Sequence, residues 1–190
     1  MQLILASTSP YRKELLSRLR LPFEQVQPDF AEAQTGSMTP EELVRFNTLG
    51  KAGSVLRHRP EATVIASDQI AVCGNAILQK PGNIDAACAQ LRMASGQTVN
   101  FLTGLALLSA QSEQFEIIPF QVCFRSLSDE EIRIYVETEL PLDCAGSFKS
   151  EGLGVSLFER MNGDDPTALV GLPLIRLCHW LKPLTHIQQQ

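Results

Sequence analysis

The 190-residue sequence lacks the features that mark membrane and secreted proteins. No apolar run approaches the roughly 18 residues that a bilayer span needs. The apolar stretch at the N-terminus is short and Arg12 and Lys13 soon follow it, unlike a signal peptide. The five cysteines are odd in number and form no CxxC pair, so we expect reduced thiols in a cytoplasmic protein without a membrane partner.

The sequence also lacks the short motifs of several enzyme classes. GxxxxGK[ST], GxGxxG, HExxH and GxSxG are all absent, which argues against P-loop, Rossmann, zinc-peptidase and serine-hydrolase chemistry. The net charge is −5 and no basic stripe is present, so we expect no nucleic-acid polymer as a partner. An anionic ligand must therefore be held by a local cluster of positive groups.

The hydrophobic pattern predicts strands that alternate with helices early in the chain and pair directly in its middle. Strands are predicted at Leu3–Ala6, Phe23–Gln27, Ala62–Val72, Gln97–Ser109 and Phe115–Ser126. Helices are predicted at Pro10–Leu19, Thr39–Arg57, Asn83–Ala94, Ser128–Glu137 and Gly171–Leu181. We therefore predict an α/β fold with a mixed, partly antiparallel sheet flanked by helices. It forms a single domain over residues 1–190, built as one body or as two lobes with a cleft between them.

The first thirteen residues predict a turn that binds anions. Ser7 and Ser9 follow a short apolar strand, and Pro10 suits the first position of a helix. Free backbone N–H groups and the helix dipole would point at one spot. The hydroxyl groups and the Arg12 guanidinium can donate to phosphate oxygens there. The alternative is that Ser9 only caps the helix and that Arg12 is a solvated charge.

Asp68 is the strongest candidate for acid–base chemistry. It interrupts an apolar strand pattern that resumes at Ile70, and an acid in such a place costs desolvation unless it has a partner. A carboxylate at the end of a strand can act as a general base or as a metal ligand. The alternative is an acid that opens a turn.

Three more charged residues complete a set that suits hydrolysis of a nucleoside triphosphate. Lys51 and Lys80 can stabilise charge on phosphates, together with the N-terminal turn. Glu32 and Asp68 can hold Mg²⁺ or Mn²⁺ with the phosphates, and a base would activate water. Taken singly, Lys51, Lys80 and Glu32 also fit solvated surface charges.

These motifs resemble those of the Maf-type nucleotide pyrophosphatases over nearly the whole chain. Ser7-Thr-Ser-Pro-Tyr-Arg12 resembles the SxSPRR motif of that family, Ser67-Asp-Gln69 its strand-end acidic motif, and Gln79-Lys-Pro81 its GKP motif. The branch that acts on 7-methyl-GTP is the most similar, through Ser67–Gln69, Thr103–Leu107, Cys144–Gly152 and Val170–Pro173. The resemblance implies a Maf/inosine triphosphatase-like fold.

The resemblance also implies an activity and a role for each candidate residue. The activity is hydrolysis of 7-methyl-GTP to 7-methyl-GMP and pyrophosphate, with a divalent metal cation and a cytoplasmic housecleaning role. Asp68 would be the proton acceptor and, with Glu32, would lie at the metal. The implied phosphate-binding residues are Ser7, Ser9, Arg12, Lys51 and Lys80, and the implied base-specificity residues are Tyr11, Gln69 and Glu151.

Tyr11 departs from the general motif, which has its first arginine at this position. An aromatic ring suits a methylated guanine, because that base carries positive charge and cation–π contact favours it. Glu151 can accept hydrogen bonds from guanine N–H groups or complement the same charge.

Two other functions stay open at this point. The chain could hydrolyse other non-standard nucleotides, which a substrate panel would reveal. It could instead be a non-catalytic nucleotide sensor in division control, which would bind nucleotide without turnover. We expect a homodimer, since dimers are common among soluble proteins.

Overall fold

The structure is a computed structural model that describes residues 2–34 and 38–182. Its strands are β1 (Leu3–Ala6), β2 (Glu24–Val26), β3 (Thr63–Cys73), β4 (Ala76–Leu78), β5 (Thr98–Leu108), β6 (Glu113–Phe124) and β7 (Phe158–Asn162). Its α-helices are α1 (Pro10–Ser17), α2 (Pro40–His58), α3 (Ile84–Ala94), α4 (Asp129–Glu139), α5 (Pro166–Val170) and α6 (Leu174–Leu181). Two 3₁₀ turns span Ala145–Ser147 and Leu153–Leu157.

The seven strands of the described residues belong to one mixed sheet. Their order is β2-β1-β3-β5-β6-β7, and β4 pairs with β3 outside that path. Strand β1 runs parallel to both β2 and β3, whereas β4 is antiparallel to β3 and β7 is antiparallel to β6. The predicted mixed α/β fold is confirmed.

The chain divides into two compact units. Unit 1 contains the described residues up to Asp68, then Thr103–Ile118, and those from Asp165 onward; unit 2 contains Gln69–Leu102 and Pro119–Asp164. The predicted single domain and the predicted cleft stay predictions.

Unit 1 has apolar layers on both faces of its strands, as parallel strands require. Successive residues of a strand point to opposite faces. Leu3 and Leu5 therefore join a core with α1, α5 and α6, while Ile4 and Ala6 join a second core with α2. All four of these β1 side chains are buried. The sheet of unit 1 thus holds α2 on one face and the other three helices on the opposite face.

Unit 2 is built around aromatic side chains. The rings of Phe101, Phe124, Phe148 and Phe158 form edge-to-face pairs with centroids 4.8–5.6 Å apart, the geometry that the ring quadrupole favours. Helix α4 begins with the predicted capping box at Ser128.

Two predicted elements differ from the structure. Strand β3 runs through Asp68 without a break, because that carboxylate finds partners inside the fold. The predicted helix Gly171–Leu181 begins only at Leu174, and the short α5 precedes it. Gly171 has φ +114°, which ends α5, and Pro173 then starts α6 as its N-cap residue.

Gly104 and Gly53 give a matched pair of glycine tests within unit 1. A Cβ at Gly104 would overlap Thr48 Oγ1 and Val44 Cγ1, and both of those β-branched residues are fully buried and stiff. A Cβ at Gly53, inside α2, meets nothing within 4 Å. We expect Gly104→Ala to lower the free energy of unfolding by about 1–3 kcal/mol, and Gly53→Ala to raise it by about 0.5–1 kcal/mol.

Urea unfolding of the two variants beside the wild type measures both changes. Equal stability of Gly104→Ala and the wild type would contradict the close packing of β5 against α2.

Candidate active site

Asp68 lies on the face of β3 that α2 covers. Val64 and Ala66 pack in the core on that face. Asp68 continues the same alternating series and is 6% exposed. Strand β3 therefore delivers a carboxylate into the layer between the sheet and α2.

Helix α2 supplies two side chains that bind this carboxylate. Asn47 and Lys51 are four residues apart, so they share one face of the helix, and both are buried. Lys51 Nζ donates to Asp68 Oδ1 at 2.6 Å, and Asn47 Nδ2 donates to Asp68 Oδ2 at 3.3 Å. The alternatives of a solvated Lys51 and of an Asp68 that opens a turn are both wrong.

The loop before α2 brings Glu32 to the same lysine. Glu32 Oε1 lies 2.8 Å from Lys51 Nζ, and the Glu32 side chain is 45% exposed. Asn47 holds the adjacent Ala33 by two hydrogen bonds: Oδ1 accepts from its N–H at 2.9 Å, and Nδ2 donates to its carbonyl at 3.0 Å. Asn47 thereby connects the Glu32 loop to Asp68.

Two apolar contacts seat the same loop on α2. The Phe30 ring occupies the space that a side chain at Gly50 would fill, and its centroid lies 5.5 Å from that of Phe46. Asn47, Phe30 and Gly50 were not predicted from the sequence. The four-residue spacing from Asn47 to Lys51 could have identified the first of them.

The N-terminal serines hold the turn between β1 and α1. Ser7 Oγ accepts from Ser9 N at 3.1 Å, and Ser9 Oγ accepts from Arg12 N at 3.4 Å as the N-cap of α1. Ser9 therefore caps α1, and phosphate binding by Ser7 and Ser9 stays a prediction. Tyr11 is half-buried in the first turn of α1.

Arg12 is not a solvated charge, because a backbone carbonyl holds its half-buried side chain. Arg12 Nε donates to Gly171 O at 2.8 Å. Burial lowers the pKa of the guanidinium, and the negative charges of Asp68 and Glu32 oppose that shift. A guanidinium keeps its charge in proteins. The site of unit 1 therefore contains two cations, Arg12 and Lys51, and the two carboxylates of Asp68 and Glu32.

Lys80, Gln69 and Glu151 belong to unit 2. Lys80 and Glu151 are exposed, and Gln69 is half-buried directly after Asp68 on β3. Gln90 Nε2 donates to Gln79 O at 2.9 Å and so holds the backbone next to Lys80. The roles assigned to these three residues stay predictions.

The segment that carries Glu151 is fixed by two residues in the C-terminal half of α4. Glu139 Oε1 accepts from Leu153 N at 3.0 Å, and Tyr135 Oη accepts from Lys149 N at 3.0 Å. Burial raises the pKa of Tyr135, so its hydroxyl stays protonated. Glu151 is therefore presented on a backbone anchored at both sides.

The carboxylates of unit 1 fit a divalent cation that is shared with a ligand. Within residues 2–34 and 38–182, no three His, Cys, Asp or Glu side chains group closely enough to hold a metal alone. Glu32 Oε1 and Asp68 Oδ1 nevertheless both contact the Lys51 ammonium group, at 2.8 and 2.6 Å from Nζ. Mg²⁺ is commonly bound by one or two carboxylates plus substrate phosphates, so this donor set suits it.

The sequence of the chain matches an established family over almost its whole length. The family profile described as "Maf-like protein" matches residues 2–184, and the chain belongs to that family. A relative from Pseudomonas aeruginosa named 7-methyl-GTP pyrophosphatase is 55% identical over 181 residues, which are 94% of each chain. Relatives of the same name from Pseudomonas putida and Vibrio cholerae are 51% and 48% identical. Their alignments cover 94% and 95% of this chain, and 94% of each relative.

Among solved structures, the Staphylococcus aureus Ham1 protein is similar with a TM-score of 0.47 and 16% identity, over 68% of this chain and 73% of that one.

In the described part of this chain, no helix combines the length and apolar character that crossing a membrane requires.

The buried ion pair predicts how unit 1 responds to the loss of one partner. Lys51→Met leaves the Asp68 carboxylate buried without its cation, so we expect the free energy of unfolding to fall by about 3 kcal/mol. Adding Asp68→Asn removes the uncompensated charge and should restore about half of that loss. Urea unfolding of the single and double variants checks this. A double variant as unstable as the sum of the two single changes would contradict the pairing.

Proposed function

We propose that this chain is a 7-methyl-GTP pyrophosphatase, which hydrolyses 7-methyl-GTP to 7-methyl-GMP and pyrophosphate. Family membership and relatives at 48–55% identity that carry this name support the proposal. The observation that carries it is the ion pair of the buried Lys51 and Asp68 side chains, joined by the exposed Glu32, which combines a base with charges suited to a polyphosphate.

Asp68 is the proton acceptor in this proposal. A water oxygen attacks the α phosphorus, the bond between that phosphorus and the oxygen bridging to the β phosphate breaks, and a proton of the water passes to Asp68. The pyrophosphate leaves with the bonding electrons. Asn47 holds Asp68 Oδ2 at 3.3 Å, which orients the carboxylate for this transfer.

A bound triphosphate would give Lys51 a third anionic partner besides Asp68 and Glu32. In this structure its ammonium group lies within 2.8 Å of both carboxylates. A phosphate oxygen would compete for this cation and would loosen its hold on Asp68. Lys51 would then stabilise charge on the phosphates.

The other proposed phosphate ligands are Ser7, Ser9, Arg12 and Lys80. Because Arg12 Nε is directed to Gly171, its Nη atoms are the donors that can face a phosphate. Mg²⁺ or Mn²⁺, bound by Glu32 and Asp68 with the phosphates, would offset their negative charge.

Tyr11, Gln69 and Glu151 are the proposed determinants of base specificity. Methylation gives the guanine a positive charge, which an aromatic ring attracts through its π face and a carboxylate attracts directly. In this proposal, each of the two side chains, Tyr11 and Glu151, would favour the methylated base over GTP.

The proposed setting is the cytoplasm, in a housecleaning role. All five cysteines are free thiols in the structure, which suits a reducing compartment. The homodimer stays a prediction that light scattering tests. Other non-standard nucleotides and a sensor without turnover are outcomes that the substrate panel below distinguishes.

Asp68→Asn tests the proposed base. With Mg²⁺, the wild type should release pyrophosphate from 7-methyl-GTP faster than from GTP, UTP and TTP. Asp68→Asn should lower kcat about a hundredfold or more, because an amide cannot accept the proton. A pyrophosphate-release assay measures both, and thermal unfolding confirms that the variant is folded.

Asp164→Asn is the matched control, since it makes the same change at an exposed position and should leave kcat unchanged. Full turnover by Asp68→Asn would remove Asp68 as the base. Nucleotide binding without turnover by the wild type would favour the sensor.

Tyr11→Leu tests base recognition. Removal of the ring should lower the kcat/KM ratio of 7-methyl-GTP to GTP about two- to thirtyfold, the range that a cation–π contact provides. Tyr11→Phe keeps the aromatic face and should retain most of the preference. Steady-state kinetics on both nucleotides give the ratio, and an unaltered ratio in Tyr11→Leu would contradict the assignment.

A further inference from the structure

The Gly171 carbonyl is a single acceptor shared by two motifs of the site. Arg12 Nε donates to it at 2.8 Å, and Ser67 Oγ, next to Asp68, lies 2.8 Å from it. Gly171 has φ +114°, and a Cβ there would lie 3.3 Å from Arg12 Nε. The position therefore suits only glycine, and its carbonyl locates the guanidinium.

Thr167 fixes both ends of the turn that presents this carbonyl. Its backbone oxygen accepts from Gly171 N at 3.2 Å and from Leu172 N at 3.3 Å. Its side-chain Oγ1 accepts from Leu174 N at 2.7 Å. One residue of α5 thus holds residues 171, 172 and 174, which include the anchor of Arg12.

Asp165 in turn fixes Thr167 and the start of α6. Its Oδ1 accepts from Thr167 N at 3.0 Å and from Thr167 Oγ1 at 2.6 Å, and its Oδ2 accepts from Ile175 N at 2.7 Å. The carboxylate is only 3% exposed. A buried carboxylate is costly unless it is hydrogen-bonded, and three donors satisfy this one.

We propose that Thr167 and Asp165 are positioning residues that set the Arg12 guanidinium for substrate phosphate through the Gly171 carbonyl. The inference rests on the proposed function, in which Arg12 binds phosphate. A planar guanidinium with Nε fixed has its Nη donors fixed in direction as well. A small displacement of the turn would therefore misdirect both Nη donors of Arg12. Thr167 and Asp165 act through this turn and need not touch the substrate.

A purely structural corner between α5 and α6 makes a different prediction. Such a corner would lower stability when broken, yet its effect on turnover would be the same whether or not residue 12 is arginine. Coupling to Arg12 is therefore the property that separates positioning from support.

A double-mutant cycle measures this coupling. Thr167→Val removes Oγ1 at nearly constant shape, so we expect KM for 7-methyl-GTP to rise about three- to tenfold with a smaller change in kcat. Thr167→Ser retains the hydroxyl and should restore the wild-type KM. In an Arg12→Lys background, where the bond from Nε to Gly171 is already gone, Thr167→Val should add little further loss.

Equal losses from Thr167→Val in the Arg12 and Arg12→Lys backgrounds would overturn the inference. Ser128→Ala is the control for a lost helix cap, because Ser128 caps α4 in unit 2. It should lower the melting temperature and leave KM unchanged.

Hydrogen exchange at the Arg12 side chain gives a readout that does not need turnover. In ¹⁵N-labelled protein, the Arg12 Nε–H resonance, assigned by its disappearance in Arg12→Lys, should exchange slowly in the wild type and in Thr167→Ser. It should exchange faster in Thr167→Val. Unchanged protection in Thr167→Val would refute the positioning role even if the enzyme is active, whereas an inactive wild type with the expected exchange pattern would refute only the proposed function.

Discussion

The ion pair between Lys51 and Asp68 is the interaction on which the site of unit 1 depends. Both side chains are almost fully buried, and a buried charge without a partner is strongly destabilising. Their 2.6 Å contact therefore joins β3 to α2, and the same two side chains are the candidate reactive groups. The same lysine holds Glu32, and Asn47 holds both the Glu32 loop and Asp68.

A second set of contacts attaches the N-terminal turn to the C-terminal part of unit 1. Arg12 is separated from Gly171 by 159 residues in sequence, yet a 2.8 Å hydrogen bond joins them. Ser67 reaches the same carbonyl from β3. The phosphate-binding and acid–base candidates are thus built on shared backbone rather than on independent loops.

The sequence predicted those features whose signals are local. Strand periodicity predicted β1, and capping boxes predicted the starts of α2 and α4. The acid in an apolar strand identified Asp68 as partnered, because burial of an unpaired carboxylate is too costly. Asn47 and the Gly171 anchor were not predicted, since their contacts join segments separated in sequence by 14 and 159 residues. The short α5 and the later start of α6 were missed, because the left-handed backbone of Gly171 ends α5.

We propose that the buried Asp68 cleaves the anhydride between the α and β phosphates, and ³¹P NMR of the products of 7-methyl-GTP tests this most directly. With Mg²⁺ present, the wild type should give equal amounts of 7-methyl-GMP and pyrophosphate. Asp68→Asn should give almost no product. Release of orthophosphate with 7-methyl-GDP, or undiminished product from Asp68→Asn, would contradict the proposal.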